Sequence, residues 1–411
     1  MRINKLMKHT AIMTAVNLVM RAAGVGFNAY LTAKIGSSGM GLFQLVMTVY
    51  SLAVTFSSAG VRLATTRVAV EINTLRKNDM NKSVAMCVTY AGICGCLIGF
   101  LLFTLSDFIS IHWISDSQTA LPLRILSLSL PFVAMSSALG GYFTAAEKIP
   151  QYSAVQMIEQ IFKIILTALI LGTATEKSSL YSCIAVVAGM TAAEIFSFTL
   201  SSLLKHRTIP SKSTKPILDI GKMLRVALPD AAGTCARSIL LTIEHLLIPK
   251  GFEKSGEGSK EALSAYGNIH GLALPVLLFP GAVLSSLSAL LVPELATMNE
   301  KNEKEKINKT VEKHLKNSLL FSILCSLIFV FFAPIISKLV YKSNEAVIYI
   351  RILSPLVPVM YTDMITDGML KGLDCVSLGP EMHGIHTPQE RLSIESCEKL
   401  WRFLLAVLKT I

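Results

Sequence analysis

Residues 83–106 read SVAMCVTYAGICGCLIGFLLFTLS. This stretch contains no charged side chain and exceeds the roughly 20 apolar residues that a helix needs to cross a bilayer. Similar uncharged stretches occupy residues 35–61, 125–146 and 317–337. Apolar residues make up 52% of the 411-residue chain and charged residues only 16%, which excludes a disordered chain and a small disulfide-stabilised secreted domain. The sequence therefore predicts an all-α polytopic membrane protein.

Ten membrane spans are predicted, separated by short charged segments. They lie near residues 10–34, 39–61, 83–106, 122–146, 152–173, 179–204, 223–249, 263–291, 316–340 and 346–370. The formal net charge is +11, but the basic residues form clusters between apolar runs instead of the continuous stripe of a nucleic-acid-binding surface. Most clusters share a side with the two termini, so the positive-inside rule predicts that both termini are cytoplasmic. No nucleic-acid partner is expected.

The cysteines do not indicate a metal site or a cofactor. Six of the eight lie inside apolar runs, where thiols pack as small hydrophobic groups; these are Cys87, Cys94, Cys96, Cys183, Cys235 and Cys325. Cys94 and Cys96 have no nearby histidine or carboxylate, and two thiolates in hydrocarbon would be costly. We expect no cofactor, no bound metal and no enzymatic activity.

An internal repeat predicts how the helices are arranged. Leu123-Arg-Ile-Leu-Ser127 recurs as Ile350-Arg-Ile-Leu-Ser354, and Pro131 and Gly141 recur as Pro358 and Gly368, all at a shift of 227 residues. The repeats have the same predicted orientation, an arrangement found in transporters that rock two bundles about a central site. The predicted domains are a six-helix bundle at 1–205, a connector at 206–222, an incomplete bundle of about four helices at 223–373, and a tail at 374–411.

Polar side chains on one face of the first span form the first candidate site. Asn17, Arg21 and Asn28 are spaced by four and seven residues, so they share a helix face. Arginine suits bidentate contact with phosphate, and these residues could meet an anionic head group. The alternative is a structural cation that pairs with a carboxylate on a neighbouring helix.

Further ionisable residues at membrane depth are candidates because they are expensive to bury. Glu159 and Lys163 are spaced i,i+4 in the fifth span, where they either neutralise each other or line a polar cavity. In the seventh span Asp230, Arg237 and Glu244 share a polar face. This face either lines a cavity or forms a network of buried ion pairs.

Arg62 and Arg67 end the second span, either as substrate contacts or as groups that reach lipid phosphates. Glu194 lies alone in the sixth span, either as a structural acid or, like Glu159 and Asp230, as a candidate for coupling to H⁺ or Na⁺.

A histidine-containing segment of the eighth span is the last candidate. Asn268 and His270 precede Pro275 and Pro280. Prolines and glycines at this density predict a kinked helix that could bend during transport.

These segments resemble the oligosaccharide and lipid flippase family of the multidrug/oligosaccharidyl-lipid/polysaccharide exporter superfamily, most closely the stage V sporulation protein B group. The resemblance covers about residues 1–373 and rests on residues 17–36 with Arg21, 39–43 (GMGLF), 60–71, 141–143 (GYF), 157–160 (MIEQ), 265–267 (AYG) and 290–294 (LLVPE). It implies a two-lobed, MATE-like transporter in the bacterial cytoplasmic membrane. Such a transporter would move an undecaprenyl-linked saccharide, such as a peptidoglycan precursor for the spore cortex, to the outer leaflet.

The tail departs from this family, which has further helices after Gly372. Residues 375–392 resemble the carboxyl end of aminoacyl-histidine dipeptidases, in which His386 matches a metal-ligand position. The other ligands have no counterpart, so the resemblance implies no metal site here. A capping box at Thr387 to Glu390 and an amphipathic helix are predicted. The sequence thus predicts a junction between two genes near Leu373 and a foreign cytoplasmic tail.

Four functions are compatible with this sequence. The leading hypothesis is a flippase that works by alternating access, with Arg21, Arg62 and Arg237 at the head group and the prenyl tail in the lipid. The second is a cation-coupled exporter of small drugs, with Glu159 or Glu194 as the ion-binding group. A membrane-tethered peptidase and an inactive, truncated chimera are the other two.

Overall fold

The computed structural model describes residues 2–75, 80–146, 148–173, 179–208, 220–256, 258–300 and 303–372, and the short segments 382–383 and 391–392. The helices of the first half are α1 (Arg2–Ser58), α2 (Val61–Leu75), α3 (Met80–Ile109), α4 (Ala120–Ser127), α5 (Leu130–Ala145), α6 (Ile149–Thr173) and α7 (Ser179–Thr208). Those that follow are α8 (Ile220–Lys254), α9 (Ser259–Tyr266), α10 (Leu274–Leu278), α11 (Gly281–Glu300), α12 (Lys304–Tyr341), α13 (Val347–Leu353) and α14 (Val357–Gly372).

Short irregular helical segments connect several of these helices. Wide π-helical turns occupy Ser110–Ile114 and Gly267–Ala273, and 3₁₀ turns occupy Ser117–Thr119 and Ser354–Leu356. Strands β1 (Met382–His383) and β2 (Arg391–Leu392) pair antiparallel in the tail. Arg391 and Leu392 directly follow the predicted capping box, and the predicted amphipathic helix lies outside the described residues.

The described helices confirm an all-α polytopic membrane protein. Seven helical stretches are long and apolar enough to cross a membrane, and up to nine if each of two bent pairs is one span. The first stretch, Leu18–Ala69, has 52 residues, more than twice the length that one crossing requires. It is broken at Gly36, whose φ of 76° is the left-handed conformation that glycine adopts readily. The predicted spans 10–34 and 39–61 lie on either side of this break.

The chain divides into two compact units. The first comprises residues 1–282 and 325–355, and the second comprises 283–324 and 356–411. In the first unit the core lies around the second part of α1, where Met40 and Val46 are fully buried together with Leu123 and Leu126 of α4. The second unit has its own core of Leu291, Leu295, Ile307, Ile365 and Met369. The domains predicted from the sequence repeat remain a prediction.

The sequence repeat is visible in the helix boundaries. Helix α4 begins at Ala120 and α13 at Val347, and α5 begins at Leu130 and α14 at Val357, so each pair is shifted by the same 227 residues as the repeat. The repeated glycines also have matching roles. A Cβ atom on Gly141 would lie 2.5 Å from the Arg62 carbonyl oxygen on α2, and one on Gly368 would clash with Ser288 on α11.

Two residues related by the repeat touch each other. Ser37 Oγ and Ser264 Oγ lie 2.7 Å apart and are separated by 227 residues. Next to them, a Cβ atom on Gly41 would clash with the Leu263 carbonyl oxygen, and one on Gly267 with the Ser37 carbonyl oxygen. A residue that touches its own repeat equivalent marks a pseudo-twofold axis. We call Ser37, Gly41, Ser264 and Gly267 the axis contact.

Two helix pairs are sharply bent. Residues 117–127 and 130–145 meet at 44°, and residues 259–278 and 281–288 meet at 59°. The second bend contains Pro280, and it confirms the kink predicted from Pro275 and Pro280. Proline causes such bends because its ring removes one backbone hydrogen bond and clashes with the preceding turn.

Candidate functional site

A cavity of about 370 Å³ lies in the first unit, between α1, α6, α7 and the segment around α10. Its polar lining comes from Arg21, Asn28, Gln44, Gln160 and Lys163. Its apolar wall includes Phe27, Phe43, Met47, Met190 and Phe279. The cavity therefore combines two cations and three amides with an apolar surround.

The break at Gly36 explains why α1 supplies residues to this cavity twice. Arg21 and Asn28 come from the part before the break, and Gln44 and Met47 come from the part after it. Residues spaced by three, four or seven positions share a helix face, so each part of α1 presents one face to the cavity.

Arg21 and Asn28 both contact the chain around α10. Arg21 Nη1 donates to the Leu278 carbonyl oxygen at 3.1 Å, and Asn28 Nδ2 donates to the Gly271 carbonyl oxygen at 3.2 Å. No carboxylate among the described residues lies within 4 Å of the Arg21 guanidinium. Since one carbonyl occupies only one of the five guanidinium N–H donors, the others remain available to an anion in the cavity.

Helix α6 places an acid and a base in different surroundings. Glu159 Oε2 accepts a hydrogen bond from Ser197 Oγ of α7 at 2.5 Å. Lys163 lines the cavity and lies 5.9 Å from the centre of the Phe27 ring. Within the described residues, no ion pair of 4 Å or less joins Glu159 to Lys163, although the two interact electrostatically with each other and with Glu194. The close intrahelical ion pair is therefore not formed in this structure.

Four of the other predicted site residues are described and do not line the cavity. Arg62 and Arg67 of α2 and Arg237 and Glu244 of α8 are exposed, and none of them lines it. Arg62 lies 5.7 Å from the centre of the Tyr152 ring. The side chains of Asn17 and Asp230, and the whole of His386, fall outside the described residues.

Sequence reasoning missed Gln44 as a cavity residue. A single amide in an apolar span carries no charge and belongs to no polar stripe, so no sequence signal distinguished it. The sequence predicts Lys163 either as one half of a neutralised pair or as part of a cavity lining, and the structure places it in the lining. Among the described residues no group of three or more histidine, cysteine, aspartate or glutamate side chains could hold a metal ion.

The charge of the described lining determines what the cavity can bind. The side chains of Arg21 and Lys163 are cationic, and no carboxylate is among the lining residues. Two cations without a carboxylate beside them in the lining attract an anion. The geometry thus suits a phosphate or diphosphate with apolar groups attached.

Comparison with known proteins identifies the family. Residues 6–299 match the model of the polysaccharide biosynthesis protein family. Stage V sporulation protein B of Bacillus subtilis (strain 168) is 22% identical over 377 residues, which cover 90% of this chain and 73% of that protein. These findings confirm the resemblance to that group.

Solved structures show the fold. A multidrug resistance MATE family transporter of the MOP superfamily in its inward-facing conformation superposes with a TM-score of 0.69 at 12% identity, covering 87% of this chain and 81% of that one. A mutant of the Vibrio cholerae MATE transporter VcmN superposes with a TM-score of 0.61 at 16% identity, covering 90% and 84%. The protein is a multi-pass membrane protein with a MATE-like fold, and it belongs to the polysaccharide biosynthesis protein family.

Proposed function

We propose that this transporter flips an undecaprenyl-linked saccharide from the cytoplasmic to the outer leaflet of the bacterial cytoplasmic membrane. The observation that carries the proposal is the cationic cavity, in which Arg21 and Lys163 lie among amides without a lining carboxylate. A lipid-linked saccharide has an anionic phosphate group next to its lipid. Arg21 and Lys163 would hold that group, while the apolar lining would tolerate the start of the prenyl chain.

The cavity amides suit the saccharide side of such a molecule. Gln44, Gln160 and Asn28 offer donors and acceptors that can bind hydroxyl groups in either direction. The family description, polysaccharide biosynthesis, supports the same class of substrate. Both termini would lie in the cytoplasm, in line with the distribution of basic residues.

Two of the three candidate coupling groups interact with a residue of the cavity lining. Glu159 and Glu194 lie on α6 and α7 and interact electrostatically with Lys163, so H⁺ or Na⁺ bound there would alter the charge beside the cavity. A cation-coupled drug exporter would use the same carboxylates. The cations on the described wall favour an anionic cargo over a cationic drug, because like charges repel.

Binding in detergent solution tests the proposal. Native mass spectrometry of the purified chain would compare undecaprenyl diphosphate, a diphosphate-linked saccharide and the neutral alcohol undecaprenol. We expect both diphosphates to bind and the alcohol to bind weakly. Arg21→Gln or Lys163→Gln should each weaken diphosphate binding about tenfold, the effect of losing one charge-assisted contact of about 1.4 kcal/mol.

Two further variants serve as controls. Lys250→Gln removes an exposed cation outside the cavity and should leave diphosphate binding unchanged. Arg21→Lys keeps the charge and should retain part of the affinity. Equal binding of the alcohol and the diphosphates would contradict the proposal. Full diphosphate binding by the double variant Arg21→Gln/Lys163→Gln would also contradict it. Diphosphate binding without flipping in liposomes would instead favour an inactive chain.

A further inference from the structure

A cluster of aromatic and hydroxyl side chains lies beside the axis contact, and none of these side chains is in the cavity lining. His245 Nδ1 of α8 lies 2.9 Å from the Tyr266 hydroxyl at the end of α9. The ring of His270 lies 4.4 Å from that of His245 and 4.5 Å from that of Tyr266, measured between centroids. Tyr266 is fully buried and directly precedes Gly267 of the axis contact.

A chain of hydrogen-bonding groups links this cluster to α1. Thr48 Oγ1 donates to the Gln44 carbonyl oxygen at 2.9 Å and lies 3.4 Å from the Tyr266 hydroxyl. A protonated imidazole carries a hydrogen on both ring nitrogens, so Nδ1–H of a protonated His245 donates to the Tyr266 oxygen. The Tyr266 hydroxyl is thus the acceptor that stabilises the protonated form of His245.

The second imidazole makes the cluster sensitive to an added charge. Two histidine rings in contact cannot both become cationic without strong repulsion. His270 lies in the π-helical segment 267–273, and wide turns of this kind occur frequently at functional sites. Asn268 of the same segment is only 5% exposed, and its Oδ1 has no hydrogen-bond partner among the described residues.

The charged and titratable groups on the surrounding elements are few. Glu244 is the residue before His245 and interacts with it electrostatically. The Tyr341 hydroxyl at the end of α12 donates to the Leu272 carbonyl oxygen. Arg351 of α13 donates to the Val330 carbonyl oxygen, and Lys34 of α1 is exposed. Glu244 is thus the one carboxylate in the described surroundings that acts on His245.

We propose that His245 and His270 form a proton-binding site whose occupancy controls whether the axis contact is closed or open. Binding of one proton places a positive charge between two half-buried rings. The closed contact keeps that charge away from water, which raises its cost. Opening admits water to the protonated imidazole and to Asn268 Oδ1, so the protonated form favours the open contact.

This site is separate from the cavity groups assigned to the cargo. The hydrogen-bond chain ends at the backbone of Gln44, whose side chain lines the cavity. The proton site therefore adjoins the cavity wall without supplying a charge to the cavity. The predicted topology places the axis contact at the outer end of the first span, where it would close the exit.

A distance across the axis contact tests the proposal independently of any transported molecule. Lys34 and Glu261 are exposed, are separated by the repeat shift of 227 residues, and each precedes a serine of the axis contact by three residues. Spin labels on Lys34→Cys and Glu261→Cys, in a background without native cysteines, would report the distance by pulsed electron paramagnetic resonance in nanodiscs. We expect the fraction of molecules at the longer distance to rise about threefold or more between about pH 8 and about pH 5.5.

Variants identify the groups responsible. The double variant His245→Gln/His270→Gln should abolish the pH response of the distance between the spin labels. The control His112→Gln removes an exposed histidine stacked on Phe108 and should preserve that response. Tyr266→Phe keeps the ring and removes only the acceptor for Nδ1–H, so the midpoint of the distance change should move to lower pH. The proposal is wrong if the unsubstituted pair of histidines gives no pH response, or if the response survives in His245→Gln/His270→Gln. Loss of diphosphate binding with an intact pH response would contradict only the cargo assignment.

Discussion

Gly41 and Gly267 show how single residues determine the closeness of two helices. The carbonyl oxygen of Leu263 occupies the place where a Cβ atom on Gly41 would lie. Gly41→Ala must therefore push α1 and α9 apart, and overpacking of this kind costs about 1–3 kcal/mol. We expect a lower midpoint of thermal unfolding for the purified protein. The matched control is Gly26→Ala, since Gly26 is in the same helix and nothing lies within 4 Å of its Cβ position.

Alanine at position 26 should leave stability unchanged or raise it by up to about 1 kcal/mol, because alanine favours the helix. Equal midpoints for Gly41→Ala and Gly26→Ala would contradict the close approach at the axis contact. The sequence shows where these glycines are but not what they approach. It was more informative for Arg21 and Asn28, whose spacing of seven residues predicts a shared face. It could not indicate Gln44, which reaches the cavity only because the helix breaks at Gly36.

At the scale of elements, helices α6 and α7 form a tightly packed pair. The rings of Phe162 and Phe196 are stacked with centroids 4.6 Å apart, and Gly189 approaches Thr167 across the same interface. A double-mutant cycle with Phe162→Ala and Phe196→Ala, measured by unfolding in a denaturing detergent, should give a coupling energy of about 0.5–1.5 kcal/mol. A cycle of Phe162→Ala with Phe332→Ala of α12, whose side chain is exposed, should give coupling close to zero. Similar values from both cycles would mean that the stacked pair contributes nothing specific.

Element boundaries were largely predictable, and the reason is the bilayer. A span must be apolar over about 20 residues, so uncharged runs such as 83–106 and 317–337 lie inside α3 and α12. The kink at Pro280 also followed from local chemistry. Which polar face turns toward a cavity depends on tertiary packing, and for this reason Arg237 and Glu244 of α8 were expected in the cavity but lie exposed outside its lining.

For the whole molecule, the repeat has a mechanical consequence. Ser37 and Ser264 are equivalent in the two repeats and touch at 2.7 Å, so a symmetric opening of the repeats separates them directly. Alternating access requires that contacts closing one side of a transporter part during each cycle. A covalent link at this point should hold that side closed without altering the cavity residues.

Ser37→Cys/Ser264→Cys, in a background without native cysteines, should form a disulfide on mild oxidation, because the two serine oxygens already lie within hydrogen-bond distance. We expect the oxidised protein to lose at least about 90% of its flipping of a fluorescent diphosphate-linked lipid in liposomes, and reductant to restore it. Each single cysteine variant controls for the loss of the serine hydroxyls. Mass spectrometry of the linked peptides measures how much of the protein is cross-linked. Flipping that continues in fully cross-linked protein would show that the axis contact stays closed throughout the transport cycle.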